Sequence, residues 1–161
     1  MSQKRYVQAN KKMEIKFKYG IGVLVFGMRQ EEVLETIGEP DEIRQDNDTD
    51  SKFYFLYNDL QLRLTFYNNE KGKLGYIESS NPSIHIAGNL VINKKIEEVK
   101  NDIIKSRVTK WEKSEYHSFT TYYDEVNWLT FVVEYNKVIS VELGVTFRDD
   151  ENYLWPLEIN D

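Results

Sequence analysis

Closely spaced carboxylates are the most conspicuous candidates for chemistry in this sequence. Asp46, Asp48 and Asp50 alternate along one short segment, as the first ligands of a calcium-binding loop do. The sixth position of such a loop is normally glycine and the twelfth a bidentate glutamate, but Ser51 and Tyr57 stand there. The pattern therefore indicates an acidic hairpin turn rather than a metal site. Alternatively, the three aspartates contact a basic partner.

Candidates for catalysis are few. The chain has two histidines, His85 and His117, and no cysteine, so a zinc site or a thiol nucleophile would need an unusual set of residues. Zinc-protease, hydrolase, phosphate-loop and dinucleotide motifs do not occur. The pairs Glu31–Glu32 and Glu97–Glu98 fit solvated helix faces. We therefore predict a protein that is not an enzyme, with no catalytic residue, no metal and no cofactor.

Composition favours a soluble globular protein. The 161 residues are 40% hydrophobic, 14% aromatic and 30% charged. No apolar run approaches the roughly 20 residues of a membrane helix, so we expect no membrane partner. The first 12 residues are polar and basic, unlike a secretory signal, and Met13 is an alternative start. Together with the lack of cysteine, these features predict a cytoplasmic protein.

The charge is distributed unevenly. Residues 1–12 carry four basic residues and no acidic one, whereas residues 13–80 and 81–161 each have a net charge of −5, giving −6 overall. A negative field repels nucleic acid and favours a basic protein partner. The simpler interpretation is that acidity only keeps the protein soluble. Four charges on a flexible tail would give weak nucleic-acid affinity, and we predict no nucleic-acid partner.

Two similar segments suggest an internal repeat. Residues 24–33 read LVFGMRQEEV and residues 90–99 read LVINKKIEEV, with five of ten positions identical. The register continues downstream, where Phe53 aligns with Phe119 and Tyr57 with Tyr123. These matches predict a flexible basic tail at 1–12, a first α+β repeat at 13–80 and a second at 81–161, which ends in an acidic segment.

Each predicted repeat begins with a short helix and continues with strands. Apolar residues at helical spacing indicate one helix near 29–37 and another near 94–104. Strict alternation predicts a half-buried strand at 60–67, after a hairpin turn at Asn58-Asp59. The predicted fold class is α+β: a tandem repeat of a helical segment plus a three- or four-stranded antiparallel sheet. The two copies would form one continuous twisted sheet with helices on one face.

Helices on one face would leave the other face of the sheet open. We predict that this open face carries Tyr54, Arg63, Tyr67, Tyr122 and Trp128. Tyrosine, tryptophan and arginine are the residues that dominate protein–protein hot spots, so these residues are predicted to bind a partner. The alternative is that the N-terminal tail or the segment YLWPLEI, residues 153–159, covers this face.

The first copy resembles a known bacterial group. Its residues 20–41 contain Gly20-Ile21-Gly22, then Gly27, Glu31-Glu32-Val33 and finally Gly38-x-Pro40-Asp41. This pattern is similar to the helical segment of the β-lactamase inhibitor protein and of SmpA/OmlA-type outer-membrane lipoproteins. The second copy departs from it, since Asn93 replaces Gly27.

The resemblance implies a non-enzymatic protein binder that uses a concave sheet face. The lipoproteins carry a signal sequence and a lipidated cysteine, which are missing here. Tandem proteins without a signal are similar to some cytoplasmic immunity proteins of bacterial toxin systems. We therefore predict an immunity protein that binds and blocks a basic toxin domain. The alternative is a domain that binds a small ligand or lipid, and the oligomeric state is left open.

Overall fold

A large antiparallel sheet dominates the computed structural model, which describes residues 13–46 and 51–158. The predicted basic tail at 1–12 and two of the three clustered aspartates, Asp48 and Asp50, lie outside the described residues, as do 159–161. The thirteen strands are β1 (Ile15–Lys16), β2 (Gly20–Ile21), β3 (Leu24–Val25), β4 (Glu42–Gln45), β5 (Lys52–Tyr57), β6 (Leu62–Tyr67), β7 (Lys73–Ser79), β8 (His85–Ile86), β9 (Asn89–Leu90), β10 (Glu112–Glu115), β11 (Thr120–Asp124), β12 (Leu129–Glu134) and β13 (Lys137–Gly144).

Eight of these strands form the large sheet in the order β10-β11-β12-β13-β7-β6-β5-β4. Strands β1–β3 form a small sheet, and β8 and β9 form another. The α-helices are α1 (Gln30–Ile37) and α2 (Ile96–Glu98), and α2 continues into a π-helical stretch, Val99–Ile104. Short 3-10 turns span Asn68–Glu70, Lys105–Arg107 and Pro156–Glu158. Among the described residues, no helix is long and apolar enough to cross a membrane.

Alternating side chains give the large sheet two different faces. In β12, Leu129, Phe131 and Val133 are buried, whereas the residues between them are only partly buried. Strand β5 follows the same pattern, with every second residue in the core. The outermost strands, β4 and β10, are exposed along their whole length and carry charged side chains. Such charges discourage the pairing of a sheet edge with another chain.

The helical segments pack on the apolar side of the sheet, which we call the covered face. The Tyr57 hydroxyl donates a hydrogen bond of 2.8 Å to the carbonyl of Gly38 at the end of α1. At the other half of the sheet, the ammonium of Lys100 lies 5.0 Å from the ring centroid of Tyr122. Val33, Ile37 and Val99 are fully buried in the same core. We call the opposite side of the large sheet the open face.

The predicted fold class is wrong. The described residues are mostly β, with one eight-stranded antiparallel sheet, two small sheets and two α-helices of eight and three residues. They do not form a tandem repeat of helix plus sheet. The two segments predicted as equivalent helices differ, because the first is a regular α-helix and the second becomes π-helical after one turn.

The burial of aligned residues explains why sequence similarity misled the repeat prediction. Leu24 is 2% exposed but its aligned residue Leu90 is 50% exposed. Leu60 is 2% exposed, whereas Val126 is 66% exposed. A true structural repeat places aligned apolar residues in similar environments, whereas one residue of each of these pairs is buried and the other is exposed. The division of the chain at residue 80 stays a prediction.

Candidate functional site on the open face

Two glycines in the middle of the open face lie directly beneath aromatic rings. Gly75 in β7 and Gly144 in β13 lie on neighbouring strands, and the Val145 amide donates to the Gly75 carbonyl at 2.9 Å. A Cβ atom on Gly75 would lie 2.1 Å from the Tyr67 ring, and one on Gly144 would lie 2.4 Å from the Trp128 indole. The missing side chains therefore allow both aromatic rings to rest directly on the backbone.

The two rings that cover these glycines line a cavity of about 330 Å³, which we call the aromatic cavity. Four tyrosines and one tryptophan line it, together with four polar residues. Its lining residues are Ser51, Lys52, Tyr54, Thr65, Tyr67, Asn69, Tyr76, Trp128 and Tyr153. All five aromatic side chains are only partly buried, so their rings remain accessible to a binding partner.

Trp128 occupies an unusual backbone conformation at this site. Its φ angle is +51°, a region that bulky residues rarely adopt. The preceding turn is held by Asp124, whose carboxylate accepts hydrogen bonds from the Val126 amide at 3.0 Å and the Asn127 side chain at 2.6 Å. Asp124 is itself buried. The turn therefore holds Trp128 in the position from which its indole covers Gly144.

A pair of carboxylates lies beside the aromatic cavity. Glu78 of β7 and Glu142 of β13 are directly opposite each other in the strand register, and both are partly buried. The hydroxyl of Tyr76 donates a hydrogen bond of 2.7 Å to Glu142. On the other side, the Arg63 guanidinium lies 3.7 Å from the Glu78 carboxylate and stacks 4.3 Å from the Tyr54 ring centroid.

These neighbours raise the pKa values of Glu78 and Tyr76. Burial raises the pKa of Glu78, and the negative charge of Glu142 raises it further, while Arg63 partly opposes both effects. Burial also raises the pKa of Tyr76 well above its usual range, and its hydrogen bond to Glu142 adds to this shift. The Tyr76 hydroxyl therefore stays protonated and remains a hydrogen-bond donor.

A second, shallower cavity of about 410 Å³ lies on the same face. Arg63, Glu78 and Ser140 are among its lining residues, together with Leu56 and Ser80. Tyr54 lines the aromatic cavity and its stacked partner Arg63 lines this second cavity. The two cavities therefore adjoin each other across the Arg63–Tyr54 contact.

The C-terminal segment covers one end of the open face. Tyr153 lies 5.6 Å from Tyr67 between ring centroids and stacks on Phe147 at 4.6 Å. Phe147 in turn contacts Trp128 at 5.3 Å. Trp155 turns into the core, and its indole N–H donates to Glu70 at 3.3 Å. The described part of the YLWPLEI segment thus forms one wall of the aromatic cavity through Tyr153, and the cavity stays accessible to solvent.

The structure brings together four of the residues predicted to bind a partner. Tyr54, Tyr67 and Trp128 line the aromatic cavity, and Arg63 stacks on Tyr54. Asp46 is partly buried next to β5, and its amide donates to the Lys52 carbonyl at 2.9 Å. The role of these residues in binding stays a prediction, as does that of Asp48 and Asp50.

The predicted position of Tyr122 is wrong. Its side chain is only 8% exposed and lies on the covered face, opposite Phe131 in the strand register. Lys100 and Lys113 approach its ring from outside, at 5.0 and 5.8 Å. The neighbouring Tyr123 occupies the open face instead and makes an edge contact with Trp128 at 6.2 Å.

Sequence reasoning missed Tyr76, Glu78, Glu142 and Tyr153. Alternation within β7 and β13 was sufficient to place the first three on one face. The pairing of β7 with β13 was needed to bring the two glutamates together, and no local pattern encodes that pairing. Tyr153 belongs to the segment 153–159, which the sequence offers only as an alternative cover for this face.

The histidines do not build a second site. His117 is exposed in the turn between β10 and β11, and His85 lies in β8 with its Nδ1 3.0 Å from the Ser83 carbonyl. Across residues 13–46 and 51–158, no group of three or more histidine, cysteine, aspartate or glutamate side chains could hold a metal ion.

Comparison with known proteins identifies relatives of the fold but no family. No protein-family model and no curated protein sequence matches this chain. Among solved structures, it is similar to a cysteine-rich secretory protein from Staphylococcus aureus, with a TM-score of 0.50 and 15% identity, over 87% of this chain and 49% of that one. This likeness concerns the fold alone.

Two further solved structures have lower TM-scores. An extracellular SCP-domain protein from Bacillus anthracis gives 0.48 at 14% identity, over 78% of this chain and 44% of that one. A DUF4309 family protein from Bacillus subtilis gives 0.43 at 14% identity, over 89% and 94%. The chain thus spans about half the length of the staphylococcal and B. anthracis chains.

These comparisons correct three predictions. The resemblance to the β-lactamase inhibitor and immunity proteins is wrong, because the described residues form mostly sheet and the structure matched at a TM-score of 0.50 is a cysteine-rich secretory protein. The description of the chain as an inhibitor-like tandem repeat is also wrong, since the described residues do not form two equivalent units of helix plus sheet. The predicted cytoplasmic location is also corrected, because the matched Staphylococcus aureus structure is described as a secretory protein.

Proposed function

We propose that this protein is a non-enzymatic binding module that holds a partner protein on the open face of its large sheet. The aromatic cavity carries the proposal, because five tyrosine and tryptophan side chains line it and remain partly exposed. Such clusters of rings commonly mark interaction sites.

Charge indicates the type of partner. The chain has a net charge of −6, and the carboxylates of Glu78 and Glu142 lie beside the cavity. A basic partner would be attracted to this face and would associate faster at low ionic strength. The toxin-blocking role predicted from the sequence stays a prediction, because no described residue identifies a toxin.

Site-specific photo-crosslinking would test the proposal. A photoreactive phenylalanine derivative at Tyr54, in the aromatic cavity, should crosslink one discrete protein in a culture of the source organism. The matched control carries the same derivative at Tyr135, which is 97% exposed on the β12–β13 turn. A discrete product at Tyr54 alone supports the proposal. No product, or the same products from both positions, would refute it.

The dimensions of the aromatic cavity also support a second candidate function, the binding of a small ligand. Its volume of about 330 Å³ falls at the lower end of the range of ligand pockets, roughly 300 to 1,000 Å³. A metabolite that binds the folded state should raise the melting temperature in a saturable way. Such a rise, lost on replacing Tyr76 by alanine but kept on replacing Tyr135, would favour this function.

A further inference from the structure

The aromatic cavity is linked directly to the carboxylate pair. Tyr76 lines the cavity, and its hydroxyl donates to Glu142 at 2.7 Å. Glu142 faces Glu78 across the β7–β13 pairing. A group bound in the cavity against Tyr76 would therefore lie next to a negatively charged row of the sheet.

The negative charge of this row is only partly compensated. Within residues 13–46 and 51–158, the one ion pair that reaches either carboxylate joins Arg63 to Glu78, at 3.7 Å. Two carboxylates and one guanidinium leave a net charge of −1. Like charges directly opposite each other on paired strands destabilise a sheet. One additional cation at this position would therefore be stabilised.

Arg63 shows how this face holds a guanidinium group. Its planar group stacks on the Tyr54 ring at 4.3 Å while one edge faces Glu78. A guanidinium combines ring stacking with directed hydrogen bonds to carboxylates, whereas a lysine ammonium is a compact point charge. Trp128 and Tyr76 offer further ring surface in the aromatic cavity, and the Tyr76 hydroxyl donates a hydrogen bond to Glu142.

We propose that the aromatic cavity takes an arginine side chain of the partner protein. Its guanidinium stacks on the rings of Tyr76 and Trp128 and donates hydrogen bonds to Glu142, with Glu78 adding negative charge. This inference rests on the proposed function and deepens it, since it names the side chain that the open face recognises.

Nuclear magnetic resonance with small probes tests the inference on the full chain. The probe is N-acetyl-arginine methylamide, and its controls are the citrulline analogue, which has the same shape without the charge, and the lysine analogue. Saturable shifts of the Gly144 amide and the Trp128 indole N–H are expected with the arginine probe.

Glu142→Gln should weaken the binding of the arginine probe about tenfold, since the substitution removes a charged hydrogen-bond acceptor but keeps the shape of the side chain. The matched control, Glu134→Gln on the same face of β12, should bind as the wild type does.

Each outcome decides the inference. Equal binding of the citrulline or lysine analogue would overturn the guanidinium assignment, as would unchanged binding to Glu142→Gln. If that variant does not fold, the wild type alone suffices, because only the arginine probe should shift the Gly144 amide and the Trp128 indole N–H in a saturable way. A crosslinked partner at Tyr54 without arginine binding refutes this inference alone. Arginine binding without any crosslinked partner would instead refute the proposed function.

Discussion

Trp128 and Gly144 are in contact through both backbone and side chain. The Gly144 amide donates a hydrogen bond of 3.0 Å to the Trp128 carbonyl, and the indole occupies the space where a side chain at position 144 would lie. Gly144 has no left-handed backbone angle, so it is required for space rather than for conformation. The aromatic cavity thus depends on a small residue in β13 as much as on its rings.

Replacing Gly144 by alanine should therefore both destabilise the protein and move the indole. The added methyl group would lie 2.4 Å from Cδ1 of Trp128, so the ring must shift. We expect a loss of about 1–3 kcal/mol in the free energy of unfolding, as for other overpacked sites. Urea unfolding measures the loss, and the nuclear magnetic resonance signal of the Trp128 indole N–H reports the shift.

Two further variants separate this effect from a general weakness of β13. Ser140→Ala lies on the same strand and face and should change stability by less than about 0.5 kcal/mol. In the double variant with Trp128→Ala, the cost of the alanine at position 144 should largely disappear, since its clashing partner is gone. Strictly additive losses would contradict the proposed contact.

Asp124 should control the position of Trp128 without touching its indole. The carboxylate of Asp124 is buried and accepts hydrogen bonds from Val126 and Asn127, which hold the turn. Asp124→Ala should cost about 1–3 kcal/mol in unfolding free energy and move the nuclear magnetic resonance signal of the Trp128 indole N–H, because the Val126 and Asn127 donors lose their acceptor. Glu125→Ala, the exposed neighbour, is the control. A destabilised Asp124→Ala variant with an unchanged Trp128 indole signal would show that the turn does not position the ring.

Tyr122→Ala should destabilise the fold rather than act on binding. Its ring is buried on the covered face beneath Lys100 and Lys113. Removal of a buried aromatic side chain costs about 3 kcal/mol or more. Tyr135→Ala, at an almost fully exposed position, should stay within about 0.5 kcal/mol of the wild type. A stable Tyr122→Ala variant in urea would show that this strand faces the other way.

The error at Tyr122 shows where strand alternation stops being informative. In β6, apolar and polar residues alternate, and the predicted strand at 60–67 is confirmed by β6 at Leu62–Tyr67. In β11, Tyr122 and Tyr123 are adjacent, so both faces of the strand are aromatic and the pattern does not distinguish them. Only the pairing of Tyr122 with Phe131 decides the face.

Long-range pairing was also the missing information for the candidate site. Glu78 and Glu142 are 64 positions apart in the sequence, and their contact depends on β7 pairing with β13. The open-face positions of Tyr54 and Tyr67 follow from alternation within single strands, which local sequence does encode. Local patterns therefore predict the face on which single residues of the cavity lie. The pairing of strands that brings these residues together is seen only in the structure.

The carboxylate pair should make stability depend on pH in an identifiable direction. Burial and the charge of Glu142 raise the pKa of Glu78 above its ordinary value of 4.5, against the opposing effect of Arg63. Between 4.5 and the raised pKa, the folded protein binds more protons at Glu78 than the unfolded chain does. The contribution of Glu78 to folding stability must therefore fall as pH rises through this window, and it remains unfavourable above it.

Replacing Glu78 by glutamine removes this dependence. Glu78→Gln should be more stable than the wild type at neutral pH, because no charge is buried opposite Glu142. The difference should shrink as the pH falls through this window and level off below about 4.5, where Glu78 is protonated in both states. Urea unfolding at a series of pH values measures it, with Glu134→Gln as the control on the same face. A stability difference that does not vary with pH, or a wild type that is the more stable at neutral pH, would show that Arg63 fully compensates the pair.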